Sequence, residues 1–429
     1  MSWILAIIGF GVLIFIHELG HFVFAKLVGV KVETFSIGFG PSIFKFQKGE
    51  TLYQLSIIPF GGFCKLAGED LNSEHESKPN EFYSKNPFQR ILISLAGVLF
   101  NFIFAIMIFT TVNMMPREEI YLPPKIYIPE KLQSYPAYQS GLRTGAIIKE
   151  INGIKIENYN QIVNIIGKAF GNDLDIVFEY NGELKNIKVK PLIEKETGRS
   201  IIGIMNYIDT TITYISKDSP FNNFGISIGD KIIKVNGIEV ITKADIYEEL
   251  TKNIGKYAKF EILKSDGSIK NIDIFIVRNI DLGISLLPPP VKIKGMNLFF
   301  AFINSFKKMG ETVSIFFKSL RLLFSGKVNI NESVGGPIKI IYFSSEIAKT
   351  GIRNFLEFYG LLSIILVIMN LLPIPAVDGS YILFFLIELI SGKPLNKKLI
   401  ITIQSVGMIL LFVLMGLVLF NDIMFFVKK

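Results

Sequence analysis

Long apolar runs alternate along this chain with stretches whose hydrophobic positions recur at much shorter spacing. Trp3 to Val28, Ile91 to Met115, a run opening near Leu356 and Ile401 to Val427 are each dominated by apolar residues. About 20 such residues cross the hydrocarbon core as a helix. They predict four transmembrane helices, assigned to residues 1–30, 88–116, 355–390 and 400–427. Residues 31–68 instead alternate apolar and polar positions between glycine clusters at Gly38 and Gly40, Gly49, and Gly61 and Gly62, which is the period of strands. Phe35, Ile37, Phe39, Phe44, Phe46 and Ile57 make this hairpin region unusually apolar. It is expected at the membrane, where its edges need protein or an aqueous cavity to satisfy them. Such an edge could accept an extended peptide, or the hairpin could simply seal the fold. Residues 69–87, His75 among them, are polar and turn-rich and predict a loop. Residues 294–326 carry helical spacing of Leu298, Phe302, Phe306, Met309 and Val313 with lysines interleaved. They predict an amphipathic helix, lying at the interface or packing against a core.

The polar middle of the chain contains a repeat. Gly141 and Gly145, then Ile147, Ile148, Asn152 and Gly153, recur as Gly225 and Gly229, then Ile232, Ile233, Asn236 and Gly237. The glycines keep a constant offset, 141 to 225 and 153 to 237, both 84 positions. Each copy continues into a helical stretch (residues 159–170 and 242–254), a hairpin turn at Asn181-Gly182 or Asp266-Gly267, and a short strand, Ile201 to Ile204 or Asp281 to Ile284. Two α+β modules follow, residues 121–206 and 207–288, of a size that folds independently. The three prolines 288–290 close the region as a stiff break.

Composition agrees with a membrane protein. Half of the 429 residues are hydrophobic, and the mean hydropathy is +0.44. The net charge of +8 is modest, and no compact Lys/Arg tract of the kind that binds nucleic acid is present. Cys64 is alone, so no intrachain disulfide can form, and it reads as a small packing residue. Lys31, Lys45, Lys48, Lys65, Lys78, Lys85 and Arg90 place residues 31–90 in the cytoplasm and both termini outside by the positive-inside rule. The first run lacks a charged n-region and a cleavage site, so it reads as a retained helix and not a signal peptide.

The chemistry sits in two of the spans. His17, Glu18 and His21 form an H-E-x-x-H pattern inside the first. On a helix the two histidines share a face one turn apart, and the glutamate beside them is placed as the general base of a hydrolase. With 3 His in the chain, a chance match is expected on the order of 0.001 times. The second feature is Asn370, Pro373, Pro375, Asp378 and Gly379. Two prolines interrupt a span here, and Asp378 is an acid at membrane depth, where an unpaired carboxylate is strongly unfavourable. At 1.5 Å per residue, His21 lies about 10 Å before Val28 and Asp378 about 20 Å before Ser391. The depths are compatible with one ion held between them. Asp378 could also cap the helix that resumes at Gly379.

Taken together, these residues resemble a known family. The H-E-L-G-H motif, the G-F-G-P and I-P-F-G-G-F stretches after it, the paired repeats, the Ser333 to Pro337 segment, the N-x-x-P-x-P-x-x-D-G element and the late stretch from Leu414 to Asp422 look like the site-2 proteases. More narrowly they look like the bacterial sigma-E-regulating metalloproteases of the RseP type. Val377 stands where that family usually has Leu, and Ser380 where a second Gly is common. The resemblance implies one zinc ion per chain on His17, His21 and Asp378, Glu18 as the base that activates water, and Asn370 against the substrate backbone. The modules are similar to PDZ domains in the permuted order of bacterial proteases, the second more closely because Asp230 stands where the first has Ala146. The fold class implied is a polytopic α-helical membrane protein with a membrane-associated β-hairpin segment and two inserted extracytoplasmic α+β PDZ-like domains. The implied setting is the bacterial cytoplasmic membrane, with the active site toward the cytoplasm. The function implied is intramembrane endoproteolysis of single-pass membrane proteins, anti-sigma-factor-like substrates or signal-peptide remnants, after their external domains are trimmed. The PDZ-like domains would bind extended peptide tails or act as spacers, and no nucleic-acid partner is expected. A scaffold would need no base at position 18. A metal transporter should show paired repeats among its spans, and none is seen.

Overall fold

The computed structural model describes residues 2–70, 78–194, 198–277, 282–326 and 335–428. His75, Asp281 and Ser333 lie outside the described residues. Among the described residues, four helices are long and apolar enough to cross a membrane: Ser2–Val28, Pro87–Met114, Ile352–Leu371 and Lys397–Val427. The chain forms two compact units. One comprises Met1–Pro116, Lys294–Arg321 and Asn329–Lys429; the other is Arg117–Ile293 with Leu322–Val328.

The first unit opens with α1 (Ser2–Val28), which ends at Gly29 in the left-handed region. Then come β1 (Val32–Lys48) and β2 (Thr51–Leu66). Their pairing is more folded than a plain hairpin. Thr34, Phe35, Ser36 and Ile37 each have two partners, Lys65 to Gly62 on one side and Leu52 to Leu55 on the other. The segment Gly62 to Leu66 therefore forms an outer edge of the sheet. Farther out, Phe39, Ile43, Phe44, Phe46, Leu55 and Ile57 expose large apolar side chains. α2 (Pro87–Met114) starts sharply because Asn86 caps Gln89 in a capping box and Pro87 occupies the first turn.

The inserted unit is built from the repeat. Its first module holds α3 (Pro136–Gln139), α4 (Tyr159–Gly167) and a four-stranded antiparallel sheet of Ile147–Ile151, Ile154–Lys155, Leu174–Tyr180 and Glu183–Val189. The second repeats this with α5 (Lys243–Thr251) and strands Lys231–Val235, Ile238–Glu239, Tyr257–Leu263 and Ile269–Phe275. The sheet registers coincide at the offset of the repeat: Ile147 pairs with Glu179, and Lys231 with Leu263. Each module closes on its own core, Ile148, Ile162, Ile176 and Phe178 in one and Ile232, Ile246, Phe260 and Ile262 in the other. Both helices are shorter than the apolar spacing suggests, because each stops at a polar turn (Lys168 and Lys252) before the following strand.

The chain then returns to the first unit. α6 (Leu298–Phe324) packs Ala301 and Met309 inward, the latter against Phe109 of α2, and exposes Phe299, Phe300, Phe302 and Phe306. It thus has both a core face and an apolar face left open. α7 (Pro337–Lys349) is a helix with no counterpart in the sequence reading. Its first turn is capped by Asp422, whose carboxylate accepts from the backbone N–H groups of Gly336, Ile338 and Lys339 at 2.8, 3.1 and 3.1 Å. A cap that arrives from 83 to 86 residues away leaves no local signature. The proline element divides the third span into α8 (Ile352–Leu371) and α9 (Asp378–Ser391), and α10 (Lys397–Lys428) completes the chain.

Candidate metal centre

His17 and His21 project from one face of α1, and Asp378 is the first residue of α9. Local structure sets each in place. Gly20 lets α1 approach α2 so closely that a Cβ there would lie 2.3 Å from the Ala96 carbonyl oxygen. Close approach through small residues is the usual way membrane helices associate. On the other side, Leu372 to Val377 turns the chain between α8 and α9. Ala376 adopts φ 74°, and its N–H donates to Gln404 Oε1 of α10 at 2.6 Å. Gly379 packs against the Leu372 carbonyl, where a Cβ would stand 2.2 Å away. α9 is fixed to α2 by a buried ion pair, Arg90 to Glu388 at 2.6 Å, with the guanidinium 4.6 Å from the centre of the Phe385 ring.

The result is a tight triangle of donor atoms. His17 Nε2 is 3.1 Å and His21 Nε2 3.4 Å from Asp378 Oδ2, and the two nitrogens are 3.3 Å apart. Among the described residues these three form a group able to hold a metal ion. Asp378 Oδ2 is buried and, among the described residues, makes no hydrogen bond, so the two ring nitrogens are what it faces. Zinc bonds of about 2.0–2.1 Å in a tetrahedron put neighbouring ligand atoms about 3.3 Å apart, which matches all three edges. Two imidazoles and a carboxylate also suit a catalytic zinc site, which leaves a fourth position open. The residues fit the ion.

Around this triangle lies a cavity of about 210 Å³. Glu18 lines it, together with Gly62, Phe63 and Cys64 from the outer edge of β2. A Cβ on Gly62 would be 3.1 Å from Glu18 Cγ and 2.8 Å from the Ser36 carbonyl oxygen, so the edge and the glutamate stand in direct apposition. Glu69, just beyond β2, lines the cavity too, and its carboxylate accepts from the Leu66 N–H at 3.1 Å. Cys64 was read as a packing residue and does pack here, within the site itself. Asn370 lies one residue before the end of α8, is partly buried, and does not line this cavity.

Several residues that matter here escaped the sequence reading. A Cβ on Gly97 of α2 would meet His21 Nε2 at 2.3 Å and His17 Nδ1 at 2.9 Å, so only glycine leaves room for the imidazoles. The Ile93 carbonyl accepts from His21 Nδ1 at 2.9 Å, and Asn101 reaches His17. The available signal was a glycine and an asparagine four residues apart in the apolar middle of the span.

In the inserted unit, a second cavity of about 250 Å³ lies between α4 and residues 200–204, lined by Tyr135, Tyr159, Val163 and Ile166. In the second module Asp230 is buried, accepting from Lys264 Nζ at 2.7 Å and from the N–H groups of Ser227 and Ser265 at 2.8 and 3.0 Å. Burial raises its pKa, but these donors outweigh burial and hold the carboxyl below its ordinary value.

Comparison with known proteins places the whole chain. The model of peptidase family M50 matches residues 5–414. A Borreliella burgdorferi protein, named provisionally as a zinc metalloprotease, is 32% identical over 99% of this chain and 98% of its own. The regulator of sigma-E protease RseP of Escherichia coli is 29% identical, with 98% of each chain covered. The regulator of sigma E protease of Haemophilus influenzae is 29% identical, with 97% of each covered. A solved PDZ domain of an SdrC-like protein from Listeria monocytogenes matches 19% of this chain and 87% of its own at 24% identity. Its TM-score of 0.17 is too low to fix a fold.

Proposed function

The chain belongs to peptidase family M50, and from that premise we propose that it is a zinc-dependent endopeptidase that cuts the transmembrane segments of single-pass proteins. The observation that carries the reading is the triangle of His17, His21 and Asp378 at zinc-ligand spacing, with Glu18 in the same cavity. In this reading the three residues hold one zinc ion, which when bound supplies Lewis-acid polarisation of water and of the scissile carbonyl. Glu18 accepts the proton of the attacking water as the C–O bond forms, and delivers it to the departing amine nitrogen as the C–N bond breaks.

A helical substrate hides its carbonyls in its own hydrogen bonds, so it must be extended before attack. The outer edge of β2 supports a way to do this. Gly62 to Leu66 pairs with β1 on one side only, and its other side borders the cavity. An unwound strand added there would bring its backbone past Glu18. Asn370 is assigned to the substrate backbone outside the cavity, at the exit of α8. The cavity between α4 and residues 200–204 suits an extended peptide tail. We assign the modules to the extracytoplasmic side of a bacterial inner membrane, as a filter that admits substrates already trimmed outside. The active site then lies toward the cytoplasm, and anti-sigma-factor-like proteins and signal-peptide remnants fit as substrates. The test is cleavage of a membrane-anchored model peptide by purified protein in proteoliposomes, with and without zinc. Cleavage inside the hydrophobic segment that depends on zinc supports the reading, and cleavage only outside it contradicts it.

A further inference from the structure

The two histidines reach the shared point in the same way, each presenting Nε2 inward and Nδ1 outward. For His21 the outward partner is the Ile93 carbonyl at 2.9 Å. A carbonyl can only accept, so Nδ1 carries the proton and Nε2 keeps its lone pair for a metal. For His17 the outward partner is Asn101, whose amide nitrogen is placed 3.4 Å from Nδ1. An imidazole that gives Nε2 to a metal has its proton on Nδ1, and an N–H there cannot be answered by an amide NH₂. Asn101 is fully buried, and its Oδ1 has no hydrogen-bond partner among the described residues. The oxygen and nitrogen of an amide have nearly the same shape and exchange by a half-turn about the last side-chain bond.

We propose that Asn101 is the positioning residue for His17. Its amide oxygen accepts the proton of His17 Nδ1 when metal is bound, and so fixes the tautomer and ring orientation that the site needs. This rests on the zinc reading above. Either orientation leaves one end of the amide without a protein partner. With metal on Nε2, only the rotated one avoids two donors facing each other. The framework is fixed on both sides. The Asn101 backbone carbonyl accepts from Ser363 Oγ of α8 at 2.8 Å, so the residue cannot drift away from His17. Ile93, Gly97 and Asn101 lie at successive four-residue steps on one face of α2, opposite His21 and His17 at the same step on α1. One end of this ladder supports a ring with a main-chain carbonyl, the middle makes room, and the other end supports a ring with a side chain. That accounts for a polar residue in the interior of a membrane-length helix.

Full-length protein is purified as wild type, Asn101→Leu and Asn101→Asp, and zinc affinity is measured by competition with a chromogenic chelator, without reference to activity. Asn101→Leu is expected to weaken zinc about 10–100-fold, while Asn101→Asp, which can only accept when ionised, restores affinity to near wild type. Equal affinity in Asn101→Leu and wild type overturns the proposal, as does an Asp variant no better than Leu, which would indicate packing alone. Because the chain has only 3 His, imidazole ¹⁵N spectra of the zinc-loaded wild type give a reading that needs no substitution. Metal on Nε2 and a proton on Nδ1 of His17 support it, and the reverse overturns it. Wild-type protein that binds no zinc overturns both this proposal and the metal reading beneath it.

Discussion

In the membrane-helix unit the polar residues that matter are few, buried and drawn from distant parts of the chain. In the inserted unit they are local: Asp230 is buried as well, but its partners Ser227, Lys264 and Ser265 all lie within the same module. His17 and Asp378 are separated by most of the sequence, yet their ligand atoms are 3.1 Å apart. The two modules, by contrast, each complete a core within about 80 residues, and even their sheet registers repeat at the spacing of the sequence. On the function proposed, the difference separates two tasks. Chemistry demands donors held at bond length, which requires a buried framework of α1, α2 and α9. Selecting a substrate demands only a groove on a module that folds alone. If that division is correct, damage in one unit should leave the other's task intact.

The strongest way to break it is to remove a ligand. His21→Ala or Asp378→Ala should reduce zinc content to background and abolish cleavage, with the circular dichroism of the modules unchanged. Full zinc occupancy in either variant removes that residue from the ligand set. Gly97→Ala should come next. A methyl placed 2.3 Å from His21 Nε2 must push a ring aside, and zinc affinity should fall by about 10–100-fold, the range seen for losses of supporting contacts. Deleting residues 121–290 should be milder for the chemistry. Zinc and cleavage of trimmed substrates should persist while untrimmed substrates begin to be cut. A deletion variant that binds zinc but cuts nothing shows that the modules do more than filter.

Smallest in its reach is a change within the repeat itself. Ala146 and Asp230 are equivalent, as are Tyr180 and Lys264. Asp230→Ala leaves the Lys264 ammonium without its buried partner and should destabilise the second module by about 2–4 kcal/mol. The double variant Asp230→Ala, Lys264→Tyr, which copies the first module, should recover most of that loss. The pH dependence has a definite sign. The folded carboxyl of Asp230 lies below its ordinary value, so its contribution is complete above the unfolded pKa of about 3.9 and is lost as pH falls through the lower folded value. Urea melts of the wild type and Asp230→Ala should therefore converge in acid. Zinc content should be the same in both, and a drop in the variant would mean that the units are coupled.

The same contrast explains what was legible in the sequence. The H-E-x-x-H pattern, the interrupted span with Asp378 and the repeated glycines are all local, because helix periodicity and turn chemistry act between near neighbours. Asp378 was found through the unfavourable burial of its charge, which is a property of one residue and its flanks. Gly97, Asn101 and the Ile93 carbonyl were not found, since their roles exist only where α2 lies against α1. α7 was missed for the same reason: its cap, Asp422, comes from another helix. The double pairing of Thr34 to Ile37 was equally hidden, because alternation marks strands and not how many partners a strand takes.

One substitution decides whether Glu18 is the base of a zinc peptidase. Glu18→Gln keeps the size of the side chain and leaves His17, His21 and Asp378 untouched. Single-turnover cleavage of a membrane-anchored substrate should be measured for wild type and variant at equal zinc occupancy. A rate lower by about 10²–10⁴-fold with zinc retained is expected, with uncut substrate accumulating on the enzyme. A zinc-loaded Glu18→Gln protein that cleaves at the wild-type rate would contradict it.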